Sequence, residues 1–344
     1  AGDPLDSAGN GGELLMAGTG TAHLRDGDDI VLRVDNLVVE FPVGRTGLTV
    51  HAVSGISLDI RRGETLGVVG ESGCGKSTTG RALLQLTPPT SGSVQFEGVE
   101  LTTLDGKALR EARTRMQMIF QDPISSLNPR RTIGDIVSEP LNIWNRGTKA
   151  ERSARVDEVL DAVGLDPTVA KPKRPPENSC GQCQRIAIAR ALVLEPKMII
   201  CDEPVSALDV SVQAQVLNLL MELQADLGIS MLFISHDMAV VERVSHHVGV
   251  MYLGRLVEVA QASRLYAQPL HPYSQALLSA IPIADPRRAR AQQHLPLKGD
   301  PPSPMAYIPG CAFASRCPIA KPRCLSERPQ LEARGESQVA CWEV

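Results

Sequence analysis

The sequence predicts an α/β protein built on a mostly parallel sheet with helices on both faces. Two patterns carry that prediction. Short apolar runs alternate with amphipathic helical stretches in both halves of the chain, as in successive β–α–β units. One such run, Thr65-Leu66-Gly67-Val68-Val69, leads straight into Gly70-Glu71-Ser72-Gly73-Cys74-Gly75-Lys76-Ser77, which matches the phosphate-loop pattern G-x-x-x-x-G-K-[ST] at every fixed position.

The elements follow in order. Residues 1–29 are rich in Gly, Ala and Asp and read as a flexible tail or interdomain linker. The chain begins at Ala1, which suggests a processed protein or the downstream part of a longer polypeptide. Ile30–Glu40 and Val50–Ile60 are β-rich, and Arg61-Arg62-Gly63-Glu64 turns the chain into the phosphate-loop strand. Lys76–Gln85 reads as a helix stopped by Pro88-Pro89, Ser93–Leu101 as a hairpin and Met116–Phe120 as a strand. From about Thr132 to Leu194 the pattern is helical. Thr148-Lys149-Ala150-Glu151 is a capping box, followed by Val156, Val159, Leu160 and Val163 at helical spacing and closed by Gly164. Strand Met198–Cys201, a helix lined by Val216, Leu219, Leu220 and Leu223, strand Ile229–Ile234 and a hairpin from Val248 to Val259 turning at Leu253-Gly254 complete the sheet. The helical stretch is then an insertion between two sheet halves. After about Pro282 the sequence is Pro-rich and irregular, marking a small C-terminal module over 286–344.

Composition sets limits. The 344 residues suffice for one large or two ordinary domains. Lys and Arg total 35 against 39 Asp and Glu, a net charge of −4, so charge suggests no nucleic-acid partner. No apolar run approaches the roughly 18–20 residues of a membrane span, and residues 1–29 lack the apolar core of a secretory signal. These features predict a cytoplasmic location. The eight cysteines fall into two groups: Cys74, Cys180, Cys183 and Cys201, then Cys311, Cys317, Cys324 and Cys341. Disulfides are not expected in a reducing compartment.

The phosphate loop carries the chemistry. Successive backbone N–H groups, the positive end of the following helix and the Lys76 ammonium can converge on a polyphosphate, and Ser77 offers a hydroxyl to Mg²⁺. Met198-Ile199-Ile200-Cys201-Asp202-Glu203 is an apolar strand ending in two acids. Asp202 can hold Mg²⁺ through water, and Glu203 can polarise the water that attacks the γ-phosphate. Ser206-Ala207-Leu208-Asp209 opens the next helix, and Ser235-His236-Asp237 follows the next strand.

This constellation resembles the ATP-binding cassette (ABC) ATPases over about residues 30–285. The resemblance implies a P-loop NTPase core with a β-subdomain and a helical subdomain inserted at about 122–194. It implies that Gly70, Glu71, Ser72, Gly73, Cys74, Gly75, Lys76, Ser77 and Thr78 cradle the phosphates and that Asp202 serves the metal. It makes Glu203 the catalytic base, His236 the γ-phosphate sensor and Gln121 the glutamine reaching Mg²⁺ and the attacking water. Phe41 takes the place of the aromatic that stacks on adenine, with a core position as its alternative. In this family two domains pair head-to-tail, each ATP lying between one chain's phosphate loop and the other's signature, L-S-G-G-Q. Here the signature reads Asn178-Ser179-Cys180-Gly181-Gln182, followed by Cys183-Gln184-Arg185. Ser179, Gly181 and Gln182 match. Asn178 and Cys180 depart: a side chain at 180 is expected to press on backbone built for glycine and to hinder close approach to the partner's γ-phosphate, with a Cys side chain that points away and costs nothing as the alternative.

Phe120-Gln121-Asp122-Pro123, running on to Arg130, and His271-Pro272-Tyr273-Ser274-Gln275-Ala276-Leu277-Leu278 resemble the oligopeptide/dipeptide importer ATPases, a group that also includes nickel importers. That resemblance implies two membrane permeases docking beside the stretch after Gln121, an extracytoplasmic peptide-binding protein and a second, non-identical ATPase domain, which could lie in the same polypeptide. It places the chain on the cytoplasmic face of the membrane. The terminal cysteines run C-x5-C-x6-C-x16-C, a set of four thiolates suited to Zn²⁺ or an iron–sulfur cluster. The C-x2-4-C knuckles usual in structural zinc sites are missing, and the spacing resembles the [4Fe–4S]-bearing tails of some peptide-importer ATPases. A cluster is therefore favoured over zinc and over unliganded thiols. The expected function is the ATP-hydrolysing subunit of a peptide importer. The alternatives are a binding-only cassette scaffolding an asymmetric dimer, an ATPase for another cargo such as nickel, and a soluble cassette acting on nucleic acid or ribosomes; the last lacks the expected linker insertions.

Overall fold

The computed structural model describes residues 19–21, 23–281, 295, 297 and 299–344. Two sheets organise it. In chain order the first half carries β1 (Ile30–Pro42), β2 (Thr49–Arg61), β3 (Thr65–Val69), α1 (Lys76–Leu83), β4 (Ser91–Phe96), β5 (Val99–Glu100), α2 (Gly106–Arg115) and β6 (Met116–Ile119). A helical insertion follows: α3 (Pro123–Ser126), α4 (Ile133–Ile143), α5 (Lys149–Ala162), α6 (Pro167–Ala170) and α7 (Cys180–Leu192). The sheet resumes with β7 (Met198–Asp202), α8 (Val210–Leu227), β8 (Ser230–Ser235), α9 (Met238–Val244), β9 (His247–Tyr252), β10 (Arg255–Gln261), α10 (Ala262–Ala267) and α11 (Pro272–Ser279). The C-terminal module adds α12 (Pro322–Ser326), β11 (Glu332–Arg334) and β12 (Ser337–Val339).

β3, β7 and β8 are buried at every position. Strands covered on both faces need apolar side chains on both, which is why they read as unbroken runs rather than alternations. They pair in parallel in the order β9-β3-β8-β7-β6. Beyond β9 the sheet turns antiparallel through β10, β12 and β11. The β9–β10 turn is made by Leu253 (φ 42°) and Gly254 (φ 75°), the two positive-φ residues of a tight hairpin. The second sheet, β2-β1-β4-β5, is antiparallel. One core, including Leu32, Ile56, Ile60, Leu83 and Phe96, joins this sheet to the inner face of the large one. A second, including Ile133, Ile136, Leu160, Ile186 and Phe233, joins the large sheet to the insertion.

The insertion is one long crossover between neighbours, since β6 and β7 pair directly from Met116 opposite Met198 to Ile119 opposite Cys201. The capping box before α5 is present: the Thr148 hydroxyl accepts from Glu151 N, and the Glu151 carboxylate accepts from Thr148 N.

Two sequence expectations need correction. Residues 1–29 were expected to be flexible, yet Thr19 is buried and its N–H donates to Gly55 O at 2.7 Å. Arg25 grips Asp59 and Glu64 of β2 and its turn, with Nη2 at 2.7 Å from Glu64 Oε2. Although burial works against its ionised form, Glu64 is held down to about 2 by hydrogen bonds from His247, Arg25 and Arg61. Burying that carboxylate without Arg25 would be costly, so the pairing ties the described part of the segment to the core. Residues 1–18 and 22 lie outside the described residues. The C-terminal module was expected to be irregular. Instead β11 and β12 extend the large sheet, with Glu258 opposite Val339. The start of that module, 286–294, lies outside the described residues.

Candidate nucleotide site and its surroundings

The loop between β3 and α1 needs glycine at two positions. A Cβ on Gly75, at φ 105°, would lie 2.1 Å from Ala52 O, and one on Gly70 would lie 2.1 Å from Met251 O. Lys76 is 4% exposed, with Nζ 2.8 Å from Gly70 O and 3.0 Å from Glu71 O. Its ammonium therefore sits inside the loop, satisfied by carbonyls with which a polyphosphate would compete for it. Gly73 has open space around its Cβ position, so its left-handed φ of 78° rather than crowding is what favours glycine there, and Ser72 is exposed. Cys74 is buried behind the loop, and burial pushes its thiol up, away from the thiolate.

The acids meet the loop at the carboxyl ends of the parallel strands, where open α/β sheets form crevices. Ser77 Oγ donates to Asp202 Oδ1 at 2.6 Å. Burial raises the Asp202 pKa, partly opposed by the Ser77 bond and the positive charges of Arg81 and Lys76. A buried carboxylate–hydroxyl pair of this kind fits a hard divalent cation, which takes oxygen ligands and would favour the ionised form. Glu203 is held at φ 48°, and its N–H donates to Ile234 O at 2.9 Å. A left-handed glutamate is an uncommon conformation that the surrounding backbone must stabilise. It aims the carboxylate at two partners, Gln121 Nε2 at 3.1 Å and His236 Nδ1 at 3.1 Å. Lys76, Ser77, Asp202, Glu203, Gln121 and His236, widely separated in sequence, are thus brought together at the ends of β3, β6, β7 and β8. Phe41 lies opposite Val50 near the end of β1 and is 41% exposed, which removes the reading of it as a core residue.

Residues 53–206 match the family described as "ABC transporter", and residues 257–324 match "Oligopeptide/dipeptide transporter, C-terminal region". The oligopeptide transport ATP-binding protein AppF of Bacillus subtilis (strain 168) is 48% identical over 321 residues, covering 91% of this chain and 97% of its own. This chain belongs to the ABC ATPases of the oligopeptide/dipeptide importer type. The oligopeptide transport ATP-binding protein OppF of Escherichia coli (strain K12) is 48% identical over 327 residues, covering 93% of this chain and 98% of its own. Among solved structures, the dimeric post-hydrolysis state of the ATP-binding cassette MJ0796 bound to ADP and Pi superposes with a TM-score of 0.61 at 28% identity, covering 67% of this chain and 98% of that one.

The ABC signature lies apart from these residues, at the start of α7. Ser179 caps that helix: its hydroxyl accepts from Gln182 N at 3.3 Å, and Gln182 Oε1 accepts from Ser179 N at 3.0 Å. The two glycine positions of the motif differ. A Cβ on Gly181 would lie 2.6 Å from Val212 Cγ1, so glycine is needed there. Cys180 is exposed and is not among the residues with positive φ. The expectation that Cys180 strains backbone built for glycine is therefore corrected: the helix accommodates it, and its side chain acts only on whatever meets this face.

The His271-Pro272-Tyr273 segment also reaches the phosphate loop. His271 caps α11, its Nδ1 accepting from Tyr273 N at 3.1 Å, and burial pushes the imidazole down to about 3. Tyr273 is fully buried, and its hydroxyl accepts from Glu71 N at 2.9 Å. Arg316 meets the carboxylate of the same Glu71. Neither contact was visible in the sequence, because the partners lie 202 and 245 residues apart.

Cys311, Cys317, Cys324 and Cys341 line one small cavity, together with His271, Phe313, Trp342 and Glu343. Burial pushes the Cys311 thiol up to about 11, reinforced by its neighbours Cys341, Cys317 and Cys324. The expected metal module is corrected in one respect. Among the described residues no group of three or more His, Cys, Asp or Glu could hold a metal ion, so the thiols share a cavity without forming a ready ion site. The family matches do not themselves speak for iron. Among the described residues, no helix is long and apolar enough to cross a membrane.

Proposed function

We propose that this chain powers peptide import by binding MgATP at the Gly70–Thr78 loop and hydrolysing it on Glu203. The observation that carries this reading is the hydrogen-bonded arc Ser77–Asp202 and Gln121–Glu203–His236 beside the Lys76 loop. Lys76 and the loop amides neutralise and orient the phosphates. Ser77, Asp202 and Gln121 are the residues that would hold Mg²⁺, which would offset the charge of the phosphates. Glu203 takes the proton of the attacking water. His236, within reach of the same carboxylate, orients it against the γ-phosphate. Catalysis is thus mostly positioning and charge compensation. Phe41, exposed at the end of β1, offers its ring to the adenine.

The relatives support the setting. AppF and OppF are oligopeptide transport ATP-binding proteins, and MJ0796 is a dimeric cassette. We read this chain as one of two ATPase domains on the cytoplasmic face of the membrane, paired head-to-tail with a non-identical partner. Ser179, Gly181 and Gln182 then face the partner's ATP. A groove lined by Leu86, Phe120, Gln121, Asp122 and Arg190 would receive a permease segment, and peptide would arrive through an extracytoplasmic binding protein. In vesicles carrying the assembled importer, Lys76→Ala in this chain is expected to lower its ATP affinity more than a hundredfold and to stop uptake. Parental affinity and uptake would refute the reading.

The four C-terminal cysteines are proposed to hold a [4Fe–4S] cluster rather than a single ion. Support comes from four thiols on one cavity and from their spacing in the sequence. A cluster would cross-link a module with little core of its own. Anaerobically purified protein should contain about four irons per chain, and Cys324→Ser should remove them. Stoichiometric zinc without visible absorption would overturn the assignment.

A further inference from the structure

Glu71 occupies a variable position of the phosphate loop, yet its polar groups are unusually well tied. Its N–H donates to the Tyr273 hydroxyl at 2.9 Å, and its carbonyl accepts from Lys76 Nζ at 3.0 Å. Its carboxylate accepts two bonds from the Arg316 guanidinium, Nη1 to Oε2 at 2.7 Å and Nη2 to Oε1 at 3.0 Å. The Arg316 side chain is only 5% exposed. Such a fork-to-carboxylate pair fixes geometry as well as charge, and a nearly buried arginine is tolerated only where it is paired.

Arg316 is in turn fixed by the cysteine module. It lies between Cys311 and Cys317, its N–H donates to Phe313 O at 3.0 Å, and its Nη1 lies 3.3 Å from the Tyr252 hydroxyl. Tyr252, Tyr273 and Phe313 pack on one another with centroids 4.7–5.4 Å apart. Phe313 and His271 also line the cavity of the four cysteines. A continuous packed path therefore runs from the cysteines to the loop.

We propose that Arg316 and Tyr273 are positioning residues that hold the phosphate loop in its nucleotide-accepting shape, so that the order of the cysteine module sets the affinity for ATP. The proposal rests on the reading of Gly70–Thr78 as the ATP site. Physically, Arg316 does two things. It holds the loop backbone through Glu71, and it neutralises a carboxylate that would otherwise repel the incoming phosphates. Tyr273 fixes the peptide plane on the other side.

The test is steady-state hydrolysis by the assembled importer, with ATP binding to the full-length chain measured alongside. Arg316→Ala should raise KM and Kd for ATP about tenfold, the size expected for losing a charge-assisted pair, with kcat within threefold of parental. Arg316→Lys should recover part of the loss. Adding Glu71→Gln to Arg316→Ala should also recover affinity, because the unpaired charge is gone; a merely structural staple would show no such relief. Tyr273→Phe keeps the ring and deletes one hydrogen bond, and should raise KM about threefold without lowering the melting temperature. Cys324→Ser should move KM in the same direction as Arg316→Ala. Unchanged KM in Tyr273→Phe and folded Arg316→Ala would overturn the proposal, as would a loss that Glu71→Gln leaves untouched. If Lys76→Ala also bound ATP normally, the ATP reading itself would fail instead.

Discussion

The phosphate loop and the signature helix are both glycine-containing helix starts, but they differ in what completes them. Around the loop, the central polar groups have partners within the chain: Lys76 on loop carbonyls, Ser77 on Asp202, and Glu203 on Gln121 and His236. At the signature, the side chains of Ser179 and Gln182 are taken up in capping their own helix, and Cys180 is exposed. The first region is completed within the chain, whereas the second is proposed to be completed by a partner. On the proposed head-to-tail pairing, a change at the loop would act on this chain's own nucleotide, and a change at the signature on the partner's.

That contrast can be pressed from both sides. The largest effect belongs to the loop: Lys76→Ala removes the buried ammonium, and the hundredfold loss of ATP affinity should be confined to this chain's site. Equal loss at the partner's site would blur the distinction between the two regions. The smaller effect belongs to the signature. Because Cys180 strains nothing within its own chain, Cys180→Gly should leave this chain's ATP affinity and melting temperature unchanged. It should raise hydrolysis at the partner's site by up to about tenfold, through closer approach of the helix end to the phosphates at about 1.4 kcal/mol per decade. No change in turnover would mean that the exposed thiol clears the partner's nucleotide.

The loop side was far more legible in the sequence than its surroundings. β3, β7 and β8 were readable because strands buried on both faces must be apolar throughout, and the loop because no other residue than glycine fits beside Ala52 O and Met251 O. The Thr148 capping box was readable because it is local. What escaped was set by partners distant in sequence. Arg25 looks like any polar residue of a Gly-rich segment until Asp59 and Glu64 are placed beside it. Residues 332–339 form strands because the edge of β10 offers hydrogen bonds, a cue absent from their own composition. α2 is short and mostly polar, and its start is marked only by Asp105, which accepts from Lys107 N and Ala108 N. Tyr273 stands out in the sequence only as part of a segment, and its hydroxyl acquires meaning only against Glu71 N.

The account's central claim is that this chain hydrolyses the ATP held on its own phosphate loop, with Glu203 as base. Rapid-quench measurement of bound ATP in the assembled importer tests it directly. With Glu203→Gln in this chain, one bound ATP per complex should persist at least about a hundredfold longer than in the parental complex, the loss typical of removing a general base, while affinity is retained. Hydrolysis of all bound ATP at the parental rate would contradict the claim.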